Sequence, residues 1–190
     1  KPGSDVLEIG CGWGAFAETI AKDYQANLRG ITLSKEQLKY GLKRLSDKGL
    51  DKFSKLVIED YRDTQGQFDH ICSIEMIEAV GEDHWPTYFQ TVHDRLKPGG
   101  TASIQAIVID ENDFEEYRSN VDFIQRYIFP GGMLLTNKVM REQGNNVGLK
   151  LERQEMFGQS YAKTLAMWRD AFLANWDEIE KLGFDETFKR

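Results

Sequence analysis

The chain has two cysteines, three histidines and four prolines among 190 residues, and its apolar runs are about one strand long. Each shortage excludes something. Cys11 and Cys72 lack a partner Cys or a His at metal-ligand spacing, so reduced thiols, no metal and a cytoplasmic setting are expected. Nothing approaches the roughly 18 to 20 apolar residues that span a bilayer, which argues against a transmembrane helix. Positive charge is also short: 24 Lys plus Arg against 31 Asp plus Glu leave a formal net charge of −7. That balance disfavours nucleic acid as a partner and bulk attraction to anionic lipid. No secretory leader is visible, because Lys1-Pro2-Gly3-Ser4-Asp5 leads directly into an apolar run, an abrupt start that predicts residues missing upstream.

What is present is enough for one sizeable core, with 41% hydrophobic and 29% charged residues, and a single domain over 1–190 is expected. Val6 to Ile9 reads as a strand, Ala15 to Tyr24 as a helix and Leu28 to Ile31 as a second strand. Ser34-Lys35-Glu36-Gln37 is a capping box that opens a helix with Leu38, Leu42 and Leu45 on one face. Strands at Lys55 to Ile58, Phe68 to Ile74 and Thr101 to Ile109 follow, the last after a helix over Trp85 to Leu96 closed by Lys97-Pro98-Gly99-Gly100. This alternation predicts an α/β fold, a Rossmann-like parallel sheet with helices on both faces and its site at the carboxyl ends of the strands. After Ile109 the rhythm breaks into an inserted helical lid over about 111–145, including a helix near Asn137 to Glu142. A strand at Leu149 to Phe157 and a long amphipathic helix from about Ala162 to Leu182 are expected after it.

The loop Gly10-Cys11-Gly12-Trp13-Gly14-Ala15 falls between the first strand and the first helix, where glycines let a nucleotide approach the backbone. Its spacing also satisfies the dinucleotide fingerprint. Charge separates the two readings: Glu8 beside the loop would repel a pyrophosphate but can pair with the ammonium of a methionine moiety. The second strand ends in Thr32 and Leu33, without the acidic residue an NAD site wants. Asp60-Tyr61 adds a carboxylate and a ring suited to an adenine amine and face. S-adenosylmethionine is the cofactor these features favour.

Val6-Leu7-Glu8-Ile9-Gly10-Cys11-Gly12-Trp13-Gly14, Thr32-Leu33-Ser34-Lys35-Glu36-Gln37 and Ser73-Ile74-Glu75-Met76-Ile77-Glu78-Ala79-Val80-Gly81 together resemble the cyclopropane-fatty-acyl-phospholipid synthase and mycolic acid cyclopropane synthase family. Asp60-Tyr61-Arg62-Asp63, Tyr127-Ile128-Phe129-Pro130-Gly131-Gly132 and Phe157-Gly158-Gln159-Ser160-Tyr161 extend the likeness over nearly the whole chain. The resemblance implies a class I methyltransferase fold and an S-adenosylmethionine-dependent enzyme. It would add one carbon across the double bond of an unsaturated phospholipid acyl chain, giving a cyclopropane through a carbocation that loses its proton to bound bicarbonate. By motif position Leu7, Glu8, Ile9, Gly10, Cys11, Gly12, Trp13, Gly14 and Ala15 would hold the methionine part. Thr32, Leu33, Ser34 and Gln37 would hold the ribose neighbourhood, and Asp60 and Tyr61 the adenine. Glu78, Gln105, Ile107 and Tyr161 would surround the anion: Glu78 as acceptor of its hydroxyl proton, Ile107 through its backbone N–H, Tyr161 as a phenol donor. Gln105 stands where many members carry His and, in an otherwise apolar run, is expected as a buried amide donor; Ala79 stands where a His often follows the glutamate. The lid aromatics Phe123, Tyr127 and Phe129 would either line an acyl channel or pack in the core.

The family also continues past Arg190 into a last strand, so the chain is expected to be trimmed at both ends and to lack that strand. Peripheral contact with the inner membrane face and a homodimer are the associations the resemblance suggests. Two other readings stand beside cyclopropanation: a methyltransferase giving a methyl- or methylene-branched lipid or acting on a small molecule, and a catalytically silent cofactor- or lipid-binding module.

Overall fold

Val6 and Leu7 are neighbours in sequence but belong to different cores, which is what strand alternation dictates for a sheet covered on both faces. In the computed structural model, which describes residues 1–189, these two residues sit in β1 (Asp5–Ile9). Val6 joins Leu28 of β2 (Asn27–Thr32) and Leu56 of β3 (Ser54–Ile58). That layer is closed by Ala17 of α1 (Ala15–Thr19) and Leu45 of α2 (Lys35–Ser46). Leu7 and Ile9 instead join Ile71 of β4 (Phe68–Ile74) under Trp85, Tyr88, Phe89 and Val92 of α3 (Trp85–Arg95). The fifth strand is β5 (Leu96–Gln105), and the order is β3-β2-β1-β4-β5 with every pair parallel. The order reverses between β1 and β4, the place where an open parallel sheet leaves a crevice at its carboxyl edge.

The lid is partly helical. It contains α4 (Phe114–Ser119), a π-helical turn over Ile124–Ile128 and α5 (Asn137–Asn146). Val108 bridges to Leu135, and the Ile109 N–H donates to the Leu135 carbonyl at 3.0 Å, so the chain leaving β5 is fastened to the segment that enters α5.

The chain divides into two compact units, Lys1–Lys150 and a second that begins at Leu151. The second holds α6 (Gly158–Ala174), α7 (Trp176–Glu180) and α8 (Glu186–Lys189), knotted by Phe172, Phe184 and Phe188 around the buried Trp176. Among the described residues no helix is long and apolar enough to cross a membrane.

Several boundaries differ from the sequence reading. Residues 149–157 carry no strand: four consecutive polar residues, Glu152 to Glu155, separate Leu151 from Met156, and none of the segment joins the described sheet. The expected helix over 162–182 starts earlier and breaks at Asn175, whose side-chain amide donates to the Ala171 carbonyl at 2.7 Å and so caps the turn it ends. The helix after β1 passes into a π-helical turn over Ile20–Tyr24. β5 starts at Leu96, through Pro98-Gly99, because the amino edge is pinned there: Lys97 Nζ donates to Asp5 at 2.9 Å and to Asp69 at 3.1 Å.

Candidate active site

Apart from Leu7 and Glu8, which lie inside β1, the expected site residues of the first unit lie at or beyond the carboxyl ends of the five strands. After β1 the loop is tied to β2, for the N–H groups of Gly10 and Cys11 both donate to the Ile31 carbonyl, at 3.0 and 2.9 Å. Two glycines differ in their reasons. Gly14 has φ 78°, and a Cβ there would lie 3.1 Å from the Gly41 Cα, so it lets the start of α1 rest on α2. Gly12 has φ 50°, and a Cβ there would meet no atom within 4 Å: its bareness faces open space that a ligand can enter. Trp13 is exposed beside it, edge-on to Tyr40 at 5.4 Å, and Ala15 opens α1. Leu7 and Ile9 are core residues, so a ligand in this loop meets their backbone at most.

Glu8 is buried, and its Oε2 has no hydrogen-bond partner. Desolvation pushes its carboxyl up to about 8. A buried carboxyl with an oxygen that no neighbouring donor reaches fits an ammonium group. Burial, then Glu8, pushes the Cys11 thiol up to about 12.

After β2, three side chains close a ring. Thr32 Oγ1 donates to Gln37 Oε1 at 2.9 Å and accepts from the Ser34 N–H at 3.1 Å, while Ser34 Oγ accepts from the Gln37 N–H at 3.2 Å as the N-cap of α2. Leu33 is left exposed above it. After β3, Glu59 is clamped by Arg29 and by Thr64 Oγ1 at 2.8 Å, which fixes the exit toward Asp60. Asp60 caps the short turn Tyr61–Asp63 and takes a forked bond from the Arg62 guanidinium, at 2.9 and 2.6 Å, which holds its carboxyl below the usual range. An adenine amine would share Asp60 with that cation. Tyr61 is half-buried, edge-on to Tyr88 at 5.7 Å.

After β4 the chemistry changes. Glu75 holds a left-handed backbone, φ 50°, a conformation on the order of 1 kcal/mol unfavourable for a residue with a Cβ. Its N–H donates to the Gln105 carbonyl at 2.9 Å, and the Gln105 side-chain amide donates back to Glu75 Oε1 at 2.8 Å. Glu78, on the turn Ile77–Ala79, accepts the Ile107 N–H on Oε1 at 2.6 Å; its Oε2 is buried and has no hydrogen-bond partner. Burial pushes the Glu78 carboxyl up, against the Ile107 N–H that pulls it down. The Glu78 carbonyl accepts the Met133 N–H at 2.8 Å, so the lid is anchored on this residue.

Three expectations need correction here. Gln105 is half-buried rather than enclosed in an apolar run, because β5 is an edge strand whose positions 101–103 are exposed. Its amide N–H and the Ile107 N–H, both expected to face an anion, are directed at Glu75 and Glu78, since a carboxylate is the stronger local acceptor. Phe123, Tyr127 and Phe129 are exposed, so the core-packing alternative does not hold for them. Tyr161 stands in the first turn of α6, in the second unit, edge-on to Trp168 at 6.3 Å. Glu75, Arg62 and the Arg29–Glu59 clamp were not singled out by sequence reasoning; Glu75 lay inside a quoted motif, and its partner is 30 residues away.

The chain matches the mycolic acid cyclopropane synthetase family over residues 1–190. It is 40% identical to the tuberculostearic acid methyltransferase UfaA1 of Mycobacterium tuberculosis, over 100% of this chain and 44% of that protein. It is 39% identical to the cyclopropane-fatty-acyl-phospholipid synthase of Escherichia coli K12, over 100% of this chain and 47% of that one. The chain thus spans less than half the length of these curated relatives. Among solved structures, the cyclopropane synthase MmaA2 of M. tuberculosis superposes with a TM-score of 0.88 at 27% identity, covering 100% of this chain and 70% of that one. The mycolic acid cyclopropane synthase CmaA1, solved with SAH and CTAB, gives 0.88 at 26% identity over the same shares. With its parallel sheet, its glycine loop and its carboxylates at one edge, this chain belongs to the mycolic acid cyclopropane synthetase family.

Proposed function

We propose that the protein transfers the methyl carbon of S-adenosylmethionine to the double bond of an unsaturated phospholipid acyl chain and forms a cyclopropane. The observation that carries the reading is Glu8: a buried carboxyl with an unpartnered oxygen, directly beneath a glycine loop that opens on empty space at Gly12. When bound, S-adenosylmethionine supplies an electrophilic methyl group and bicarbonate a base for the departing proton. Glu8 receives the ammonium, and Gly12 and Trp13 lie along the methionine part. The Thr32, Ser34 and Gln37 ring presents fixed polar atoms to the ribose. Asp60 and Tyr61 hold the adenine, with Arg62 competing for the carboxylate.

Glu78 Oε2 fits as the acceptor of a bicarbonate hydroxyl. Gln105 and Ile107 flank that position from β5. The role of Tyr161 as a phenol donor rests on its motif position alone. Exposed aromatic rings in the lid, Phe123, Tyr127 and Phe129, offer faces to an acyl chain and to positive charge on it. CTAB in CmaA1 supports this, being a quaternary ammonium with a long alkyl tail. Peripheral contact with the inner membrane face, and a homodimer, complete the proposal.

A second reading, a methyl- or methylene-branched product, is favoured by Gln105, which cannot carry the positive charge a His would bring to an anion. The name of the UfaA1 relative points the same way. The test is mass spectrometry of lipid after incubating the protein with methyl-labelled S-adenosylmethionine, bicarbonate and monounsaturated phospholipid vesicles. A labelled chain one CH₂ heavier without a reducible alkene establishes cyclopropanation; the same mass with the alkene retained establishes the methylene branch. Cofactor binding with no labelled lipid moves the small-molecule reading to the front, and a Glu78→Ala change that alters nothing measurable moves the silent module there.

A further inference from the structure

Among the described residues two non-glycine positions have a left-handed backbone, Gln25 and Glu75. Gln25 closes the helical turn after β1, an ordinary place for such a residue. Glu75 is different, because it lies at the end of β4 between the strand and the Glu78 turn. Glycine would adopt this conformation freely; a glutamate there has its side chain set at a defined angle to the sheet. That side chain meets Gln105. The pair is joined twice, backbone to backbone at 2.9 Å and side chain to side chain at 2.8 Å, so the ends of β4 and β5 are clasped one residue beyond their last register pair, Ile74 with Gln105.

A glutamine amide has two nearly isosteric orientations, with a donor at one end and an acceptor at the other. A carboxylate partner removes the choice, because the amide oxygen facing Glu75 would set acceptor against acceptor. We propose that Glu75 is a positioning residue for Gln105: its carboxylate takes up the amide nitrogen and turns the amide oxygen away, so that Gln105 offers a ligand at this edge an acceptor. The residue in the histidine position would then not replace a histidine as a donor to an anion. It would select for a protonated partner, a hydroxyl or a water, and a negative charge would stand beside it. The inference rests on the proposed function only for the identity of the ligand.

The test is the side-chain amide spectrum of the ¹⁵N-labelled protein, with the Gln105 pair of signals identified by its loss in Gln105→Met. Glu75→Gly is the informative variant, since glycine accepts the φ of 50° and the backbone clasp is kept. In Glu75→Gly the Gln105 signals are expected to move to the position of a solvent-exposed glutamine, and exchange of their protons with water to rise roughly tenfold or more. Glu75→Asp, which keeps the charge on a shorter arm, should fall between the two. Gln105 signals unchanged in Glu75→Gly would overturn the proposal. This readout needs no turnover: if no lipid gains label while the Gln105 signals respond to Glu75, the lipid reading fails and the positioning role stands.

Discussion

The two halves of the carboxyl edge are built by different means. On the β1, β2 and β3 side, shape comes from the backbone and neutral side chains that cap it: glycines at positive φ, a loop hung from the Ile31 carbonyl, and the Thr32, Ser34 and Gln37 ring at the start of α2. On the β4 and β5 side, shape comes from two carboxylates that reach across to the neighbouring strand, Glu75 to Gln105 and Glu78 to the Ile107 N–H. The first half is the one proposed to hold the cofactor. The second is a set of protonatable groups held in register by their own hydrogen bonds. Damage to the first should therefore appear as lost binding, and damage to the second as lost turnover.

The largest effect expected from this contrast is at Gly12. Gly12→Val fills the open space and strains a left-handed residue, and should lower affinity for S-adenosylmethionine by roughly 100-fold or more in calorimetric titration. Gly14→Val, whose Cβ meets Gly41, should instead show its loss in thermal unfolding. Normal donor binding by Gly12→Val would erase the distinction between the halves.

Next comes Glu78→Gln, expected to leave donor affinity near normal and to lower turnover by roughly 10²-fold, as when a proton-transfer group is removed. Tyr161→Phe should behave in the same way. An equal loss of donor binding in either variant would break the comparison from the other side.

Glu8 sharpens it through pH. Its carboxyl titrates near 8 when folded against an ordinary 4.5, so between those values the folded state holds a proton the unfolded state has released. Stability should fall as pH rises through that window, by up to about 1.4 kcal/mol per unit of pH, and Glu8→Gln should flatten the slope. Binding of S-adenosylmethionine at pH 7 should expel that proton, visible as a dependence of calorimetric heat on the buffer's ionisation enthalpy. The smallest effect is at Asp60, where Arg62 already holds the carboxylate: Asp60→Asn should weaken donor affinity by roughly tenfold or less.

The same contrast governs what could be read in advance. β1, β4 and the capped start of α2 were legible because their signals are local: an apolar run, a glycine loop, Ser34 three residues before Gln37. Glu8 was legible for its charge, though not for the burial that leaves its Oε2 without a hydrogen-bond partner. The clasp was not legible, for nothing near Glu75 marks it as a partner of a residue 30 positions away. The apolar residues at the two ends of 149–157 suggested a strand, but the charged stretch between them leaves no continuous face to pair in the sheet. The break at Asn175 is the reverse case, a local capping residue hidden inside an otherwise helical pattern.

Cys11 carries one last consequence. It places sulfur, the softest nucleophile among the side chains, inside the loop proposed to hold an alkylating agent. As a thiolate it would compete with any alkene for the methyl group, and the enzyme would inactivate itself by alkylation. Burial, reinforced by the neighbouring Glu8, keeps it a neutral thiol far above physiological pH. The same burial that readies one acid for a cation therefore also disarms the other.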